Sequence, residues 1–180
     1  MKVVSIVGMA GAGKSVVARV FEENGYTNIR FGDVTEEELK KRGLELSEKN
    51  ERSIRELLRR EYGMGAYAKI KQPAIDTALK RGNVVVDGLY SWEEYTFLKN
   101  YYKEDFYVLA VWSSPGTRYS RLMRRQNRPL TLEEAESRDK AEIENVNKGG
   151  PIAMADSTII NESTLANLVK KTKELISKLG

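Results

Sequence analysis

A phosphate-binding motif occupies residues 8–15 of this 180-residue chain. Gly8 and Gly13 frame it, and Lys14 and Ser15 complete the pattern GxxxxGKS. The glycines let backbone N–H groups and a helix N-terminus face an anion, lysine reaches the β- and γ-phosphates, and serine can hold Mg²⁺. The motif therefore predicts a nucleoside triphosphate as ligand. The predicted donor-binding residues here are Gly8, Met9, Ala10, Gly11, Ala12, Gly13, Lys14, Ser15 and Val16.

Two aspartates follow apolar runs that we expect to be the second and third strands. Asp33 comes directly after Gly32, and Asp87 follows three valines and precedes Gly88. In an open parallel sheet, ligands bind beyond the carboxyl ends of the strands, so both carboxylates are expected near the phosphate loop. Asp87 is predicted to orient Mg²⁺ together with Ser15. The alternative interpretation is that Asp87 only forms a turn before Gly88. Asp33 either contacts the phosphate acceptor or begins a turn into the next helix.

Arginines are concentrated late in the chain. Residues 118–128 contain five arginines and no acid, and Arg138 lies one predicted helix later. Arg121 and Arg125 are four residues apart and share a helix face, and Arg128 follows in a turn. Because phosphoryl transfer develops charge on the equatorial oxygens, the cluster predicts a mobile lid over a triphosphate; the alternative is a solvated basic helix face. The predicted catalytic residues are Lys14, Asp33, Asp87, Arg125 and Arg138.

Two further polar groups are candidates for ligand contact. Arg52, Arg55 and Arg59 recur at spacings of three and four, which places them on one helix face. One of them is a candidate for binding the acceptor phosphate. The alternative for each arginine alone is a solvated helix residue that pairs with a nearby Glu. Asn161 ends the last predicted strand and either contacts the donor base or forms a turn.

Composition excludes several kinds of chemistry. The chain has no cysteine and no histidine, so disulfides, thiolate metal sites, thiol nucleophiles and imidazole bases are ruled out. The 30 basic and 26 acidic residues give a net charge of +4, which indicates a mixed-sign solvated surface; we expect no nucleic-acid partner. No segment approaches 18 uninterrupted apolar residues, so we expect a cytoplasmic protein without a membrane partner. The sequence does not set its oligomeric state.

The elements that would position these residues alternate along the chain. Apolar, β-rich runs separated by helical stretches predict an α/β fold with a parallel sheet covered by helices on both faces. The runs span residues 2–7, 27–31, 83–87, 106–112 and 157–161. Helix starts are predicted from capping boxes at Thr35–Glu38, Ser91–Glu94 and Thr131–Glu134, from Ser114–Pro115, and from Ser163 for the last helix. A further helix is predicted over about 66–80, either kinked by Pro73 or starting there.

About 50 residues separate the second and third strands, too many for a simple crossover. Residues 36–61 contain eight acids and eight bases, and Gly63 and Gly65 follow, which predicts an inserted helical lobe. We therefore expect a single domain over residues 1–180. Its parts are a core of 1–33, 66–120 and 150–180, an insertion of 34–65 that binds the acceptor, and a lid segment of 121–149.

Taken in order, these motifs resemble those of the nucleoside monophosphate kinases and dephospho-coenzyme A kinases, and most closely an archaeal group called adenylate-kinase-related proteins. The similarity spans essentially the whole chain, and residues 155–161 look more like dephospho-coenzyme A kinases. The resemblance implies a P-loop NTPase fold with a five-stranded parallel sheet, Mg²⁺ and ATP as cofactors, and an AMP-like acceptor. It also implies that Arg121 lies near the adenine and that Arg125, Arg128 and Arg138 touch phosphates. We predict that Asn161, at the end of the last strand, also belongs to the ATP site. The acceptor-binding residues that we predict are Asp33, Arg59, Gly63, Asp87, Gly88 and Arg128.

Two positions depart from the adenylate kinase pattern. Such enzymes usually carry an acceptor-binding arginine three residues after each aspartate, whereas this chain has Glu36 and Tyr90 there. Arg59 is the candidate for the missing cation. The leading hypothesis is an ATP-dependent kinase that phosphorylates a nucleoside monophosphate such as AMP. The alternatives are a dephospho-coenzyme A kinase with Asp33 as the base for the hydroxyl, and a nucleotide-sensing ATPase that transfers no phosphate.

Overall fold

Five short apolar segments form one parallel sheet in the computed structural model, which describes residues 1–179. The strand order is β2-β3-β1-β4-β5, which confirms the predicted α/β fold. Most residues of β1 and β3 are β-branched, and both strands are buried on both faces, as expected of central parallel strands. The strands are β1 (Val3–Val7), β2 (Thr27–Arg30), β3 (Val84–Asp87), β4 (Phe106–Trp112) and β5 (Ser157–Ile160).

Helices cover both faces of the sheet, as predicted. Along β1 the side chains alternate: Val3 and Val7 pack in a core with Phe31, Tyr67 and Leu98, whereas Val4 and Ile6 pack in a second core with Phe21 and Leu168. The helices are α1 (Lys14–Glu23), α2 (Gly32–Lys41), α3 (Glu48–Tyr62), α4 (Ala66–Leu79), α5 (Trp92–Tyr102), α6 (Pro115–Met123), α7 (Leu132–Glu144), α8 (Gly149–Ala153) and α9 (Leu165–Leu179). No helix within residues 1–179 is both long and apolar enough to cross a membrane.

The capping predictions were correct in two of three places. Ser91–Glu94 at α5 and Thr131–Glu134 at α7 both form reciprocal capping boxes. The box predicted at Thr35 is wrong, because α2 already begins at Gly32 and Thr35 lies inside it. There the Thr35 hydroxyl shares a 2.6 Å hydrogen bond with the Tyr67 hydroxyl, so a tertiary contact replaces the cap.

Two other helix boundaries differ from the prediction. α4 runs through Pro73, so this proline does not mark the helix start. α9 begins at Leu165, and the hydroxyl of Thr164, not that of Ser163, accepts the Asn167 N–H. α6 does begin at Pro115, directly after Ser114, as predicted.

Strand register brings the candidate site residues to one edge of the sheet. Ile6 pairs with Asp87, and Asp87 pairs with Arg30, so these strands end at nearly the same level. The phosphate loop follows β1 directly, and Asp33 lies in the first turn of α2 just beyond β2. The carboxyl edge therefore carries the loop and the residues that follow three adjacent strands.

Candidate active site

The loop between β1 and α1 has the tight backbone that a phosphate cradle requires. Gly8, Gly11 and Gly13 have φ values of 150°, 80° and 106°, in a region that other residues rarely adopt. A Cβ atom at Gly8 would lie 2.3 Å from the Val111 carbonyl oxygen, and one at Gly11 would lie 2.7 Å from that of Arg118. Glycine is therefore needed both for backbone conformation and for space.

Three side chains hold the carbonyl groups of this loop. The Asn161 amide donates to Ala12 O at 2.9 Å, and the Arg118 guanidinium donates to Ala10 O at 3.1 Å. Arg121 donates to the backbone oxygen of Asn161 at 3.0 Å and lies 3.5 Å from Gly11 O. Asn161 and Arg121, predicted to contact the donor nucleotide, thus lie beside the loop, where they support its backbone.

A cavity of about 970 Å³ opens beyond the loop. The loop, α3, the lid segment and α7 surround it, and eleven of its lining residues are basic and six acidic. This excess of positive charge suits a polyphosphate ligand. The predicted site residues that line it are Ala10, Gly11, Lys14, Ser15, Arg59, Asp87, Gly88, Arg125, Arg128 and Arg138. Those predicted residues that do not line it are Gly8, Met9, Ala12, Gly13, Val16, Asp33, Gly63, Arg121 and Asn161.

Lys14 lies folded back on its own loop. Its ammonium donates to Gly8 O at 2.9 Å and to Met9 O at 3.2 Å. Burial, and next the nearby Lys148, lower the pKa of Lys14 to about 7, although the carboxylates of Glu142 and Asp87 act in the opposite direction. A bound phosphate would restore the charged form.

The two predicted aspartates have different surroundings. Asp87 is 6% exposed, ends β3 and lies close enough to Lys14 to influence its charge. Asp33 accepts a hydrogen bond from Arg30 at 3.0 Å, and its side chain is 42% exposed. The structure therefore brings Asp87, but not Asp33, into the cavity wall.

Ion pairs join the lid segment to the insertion across the cavity. Arg138 of α7 donates to Glu48 at 2.8 Å, and Arg128 donates to Glu51 at 2.5 Å. Arg55 also donates to Glu48, at 2.7 Å. Two of the arginines predicted to bind phosphate therefore have carboxylate partners from α3.

Two other predicted cations lack such partners. Within residues 1–179, Arg125 and Arg59 form no ion pair closer than 4.0 Å. Loss of hydration and the proximity of Arg138 and Arg128 lower the pKa of Arg125. Arg59 lies over the Tyr67 ring, 5.6 Å from its centroid, and its buried Nε has no hydrogen-bond partner among the described residues. Both guanidinium groups are available to an anion.

Comparison with known sequences identifies the family. The AAA domain family AAA_18 matches residues 4–144. The UPF0200 protein of Thermococcus kodakarensis is 38% identical over 185 residues, covering 98% of this chain and all of that protein. The UPF0200 protein of Thermococcus gammatolerans is 36% identical over 181 residues, covering 98% of this chain and 95% of that protein. The chain belongs to the UPF0200 family.

Several solved structures with the same fold are kinases. A gluconokinase from Sinorhizobium meliloti superposes with a TM-score of 0.63 at 16% identity, covering 99% of this chain and 93% of the other. A shikimate kinase from Acinetobacter baumannii superposes with a TM-score of 0.60 at 19% identity, covering 99% of this chain and 94% of the other. A dephospho-CoA kinase from Campylobacter jejuni superposes with a TM-score of 0.58 at 14% identity, covering 99% of this chain and 97% of the other. The predicted P-loop NTPase fold with a five-stranded parallel sheet is confirmed.

The two positions that lack the expected arginines form a polar and aromatic wall in this UPF0200 chain. Glu36 accepts a hydrogen bond from Arg30 at 2.8 Å. The Tyr90 ring packs against Tyr67 at a centroid distance of 5.2 Å, and the Lys148 ammonium lies 5.1 Å from its centroid. A cation thus lies beside each of these two positions, although neither position is itself an arginine.

Several charged residues of the cavity wall were not predicted from the sequence: Arg30, Glu48, Glu51, Glu142 and Lys148. Arg30 ends β2, and the rule that singled out Asp33 at the same sheet edge applied equally to it. Glu48 and Glu51 gave no comparable signal, because they lie among many acids of a balanced charged helix. Lys148 precedes two glycines and was indistinguishable from an exposed turn residue.

Proposed function

We propose that this protein is a kinase that transfers the γ-phosphoryl group of Mg²⁺-ATP to a nucleoside monophosphate, AMP or a related purine nucleotide. The observation that carries this proposal is the single cavity that extends from Lys14 and Ser15 of the phosphate loop to Arg59 and Tyr90 on the insertion side. A cavity that joins two cationic ends suits two phosphorylated ligands placed end to end. Its volume is at the upper end of the range for small-molecule sites.

The donor end suits ATP with a magnesium ion. The crowded glycines leave no room for side chains where the triphosphate would approach the backbone, and Lys14 and Ser15 line the cavity beside them. Ser15 and Asp87 would hold Mg²⁺, and Asp87 is the carboxylate of the sheet edge that lies near Lys14. The ion would neutralise charge on the phosphates, while Arg125 and Arg138 would stabilise the transferred group.

The acceptor end suits an anion more than a hydroxyl compound. Arg59 lines it without an acidic partner among the described residues. An acceptor phosphate is already ionised at neutral pH, so its transfer needs no general base. A hydroxyl acceptor needs one. Asp33, the predicted base for that reaction, is not part of the cavity wall, and its carboxylate pairs with Arg30. These contacts favour the nucleotide over dephospho-coenzyme A.

The structural neighbours support transfer to a small molecule in general. A gluconokinase, a shikimate kinase and a dephospho-CoA kinase all share this fold over nearly the whole chain. Their names indicate that the fold serves several acceptors. The choice of a nucleotide for this chain therefore depends on its own cations.

A second candidate is a nucleotide-sensing ATPase that transfers no phosphate. The ion pairs of Arg128 with Glu51 and of Arg138 with Glu48 favour it, because they engage the arginines that transfer would require. The absence of arginine at positions 36 and 90 favours it as well. In this alternative, ATP binding would break the ion pairs and separate α3 from the lid segment.

Product analysis tests these functions. The protein is incubated with Mg²⁺-ATP and a mixture of nucleoside monophosphates and dephospho-coenzyme A, and products are identified by mass spectrometry. Lys14→Ala is the inactive control. Lys173→Ala, in α9, removes the same charge away from the phosphate loop and serves as the matched control for Lys14→Ala. We expect one nucleoside monophosphate to gain a phosphate only when Lys14 is present. ATP hydrolysis without a phosphorylated acceptor would instead support the sensing function.

Asp33→Asn distinguishes the two transfer reactions. Loss of a base would nearly abolish phosphorylation of a hydroxyl. Transfer to a phosphate acceptor should persist in this variant, because Asp33 lies outside the cavity wall. Loss of nucleotide phosphorylation in this variant at normal stability would argue against the proposed assignment of the acceptor site.

A further inference from the structure

Lys148 is a buried cation in the wall of the cavity. It follows α7 and forms the N-cap position of α8, at the end of the lid segment. Its side chain is only 1% exposed, although the residue lines the cavity together with Asp87, Tyr90 and Arg138. Lysine is rarely buried to this extent unless it is paired or binds a ligand.

The hydrogen bonds of Lys148 leave donor capacity unused. An ammonium group has three N–H donors, and among the described residues Lys148 makes one side-chain hydrogen bond, to Glu142 at 2.8 Å. The face of the Tyr90 ring, 5.1 Å away, provides weaker stabilisation. A buried cation with free donors in a cavity wall is suited to an anionic ligand, since unsatisfied buried charge is costly.

The surroundings of Lys148 place it between the two ends of the cavity. It is one of the charges that lower the pKa of Lys14 in the phosphate loop. Arg59, at the acceptor end, is one of the charges that lower the pKa of Lys148, after burial and alongside Arg138. Cations from the donor end, the acceptor end and the lid thus converge on Lys148.

One carboxylate, Glu142, lies at this convergence. It accepts hydrogen bonds from Lys148 at 2.8 Å and from Arg138 at 3.3 Å, and these cations together with Lys14 lower its pKa well below the usual range. Three cations thus surround this carboxylate, and Arg138 has a second partner in Glu48. Lys14 and Lys148 together therefore carry more positive charge than Glu142 neutralises, and an incoming phosphoryl group would neutralise the remainder.

We propose that Lys148 is a further catalytic residue that binds the γ-phosphoryl group as it passes from donor to acceptor, while Glu142 holds the ammonium in place. This inference rests on the proposed function for its chemistry. During transfer, the bond from the γ-phosphorus to the bridging oxygen breaks, and that oxygen keeps the electron pair as part of ADP. A bond forms from an anionic oxygen of the acceptor phosphate to the same phosphorus. No proton moves, and Lys148 remains protonated throughout.

Binding measurements test the contact without requiring transfer. Affinities for Mg²⁺-ADP and for a non-hydrolysable Mg²⁺-ATP analogue are compared by calorimetry, and the ratio of analogue affinity to ADP affinity isolates the contribution of the γ-phosphate. We expect Lys148→Met to reduce that ratio about tenfold or more, as is typical of a charged hydrogen bond, and to leave ADP affinity nearly unchanged. Lys140→Met is the matched control, because Lys140 lies in the preceding helix α7 with a 72% exposed side chain.

A second variant keeps the test valid if Lys148→Met folds poorly. Lys148→Met combined with Glu142→Gln removes both charges, so neither partner is left buried and alone. The same loss of the γ-phosphate contribution is expected. An unchanged ratio in a folded variant, or an equal loss of ADP and analogue affinity, would overturn the proposal.

Kinetics then separate this inference from the proposed function. If the wild-type protein phosphorylates a nucleotide, Lys148→Met should reduce kcat by about 100-fold or more with a smaller change in the KM for ATP, as for other charge-stabilising groups. If the wild-type protein transfers no phosphate, the proposed function fails. The ratio of analogue affinity to ADP affinity still decides whether Lys148 contacts the γ-phosphate.

Discussion

Arg118 and Asp139 form a buried two-pronged ion pair beneath the phosphate loop, with nitrogen to oxygen distances of 2.9 and 2.5 Å. Their residues are 4% and 7% exposed. The same guanidinium donates to Ala10 O, and the Tyr119 hydroxyl donates to Asp139 at 3.0 Å. Because Asp139 adjoins Arg138 on α7, this pair links the position of a lid arginine to the loop.

Removing the carboxylate of Asp139 should destabilise the protein strongly. Asp139→Ala leaves the Arg118 guanidinium buried without its partner, which typically costs about 3–5 kcal/mol of unfolding free energy. Denaturant unfolding measures the loss, and Lys140→Ala, at the next and exposed position, should change it little. A cost below about 1 kcal/mol for Asp139→Ala would show that water reaches the guanidinium and that the pair does not secure the loop.

The fold was predictable because its signals are local. Three consecutive buried valines in β3 and the reciprocal caps at Ser91 and Thr131 depend on neighbouring residues alone. Thr35 shows where this reasoning fails. It has the spacing of a cap, but its hydroxyl pairs with Tyr67, which is 32 residues away in the chain. A sequence pattern gives no sign of such a contact.

The site was predictable only where a backbone motif defines it. The phosphate loop is specified by its glycines, whose conformation and lack of space no other residue tolerates. Glu142, near the end of α7, and Lys148, shortly after it, become site residues because the packing of the lid segment places both residues in the cavity wall. Their roles depend on convergence with Arg138 and Lys14, which is a property of the tertiary structure.

Nucleotide binding should take up a proton at Lys14. With a pKa of about 7 in the free protein, this ammonium is largely neutral at pH 8, whereas a bound phosphate favours the charged form. The affinity for Mg²⁺-ATP should therefore be highest below pH 7 and fall as the pH rises above it, by as much as about tenfold per pH unit. Calorimetry in buffers with different ionisation enthalpies measures the uptake.

Lys14→Arg is the control for this titration. Its guanidinium stays charged throughout this range, so the variant should take up at least half a proton less than the wild type at pH 8. Protons taken up by the nucleotide itself appear equally in both proteins. Identical uptake by the two would mean that Lys14 is already charged in the free protein.

Neutralising Glu48 should strengthen nucleotide binding. Its side chain is 10% exposed and accepts hydrogen bonds from Arg138 and Arg55, so it competes with phosphate for a lid arginine. Release of Arg138 from this ion pair is worth on the order of 1 kcal/mol. Glu48→Gln should therefore lower the Kd for a non-hydrolysable ATP analogue several-fold.

The comparison for Glu48 is Glu56→Gln on the same helix. Glu56 also lines the cavity, but it is exposed and forms no ion pair with any residue in the described range 1–179. The two variants have the same net charge, so a general charge effect would tighten binding equally in both. Tighter binding in Glu48→Gln alone, with a gain that shrinks as salt rises, is the result that competition for Arg138 requires.

Glu94 should make the protein less stable as the pH rises from 5 to 8. Its residue is fully buried, Oε2 accepts the Tyr90 and Ser91 N–H groups, and Oε1 has no partner among residues 1–179. Burial raises the pKa of Glu94 to about 7, against the opposing charge of Arg59. The neutral acid is thus preferred in the folded state.

The direction of this change in stability with pH follows from proton linkage. Unfolding releases the Glu94 proton between about pH 4.5 and 7, so its stabilising contribution is complete below that window and is lost as the pH rises through it, up to about 3 kcal/mol. Glu94→Gln keeps an oxygen for the cap and has no charge to bury, so its unfolding free energy should fall less from pH 5 to 8. Glu134→Gln changes the equivalent capping residue of α7, which is exposed, and should retain the wild-type pH dependence. Parallel pH profiles for the wild type and Glu94→Gln would mean that Glu94 is ionised in the folded protein, held in that form by Arg59.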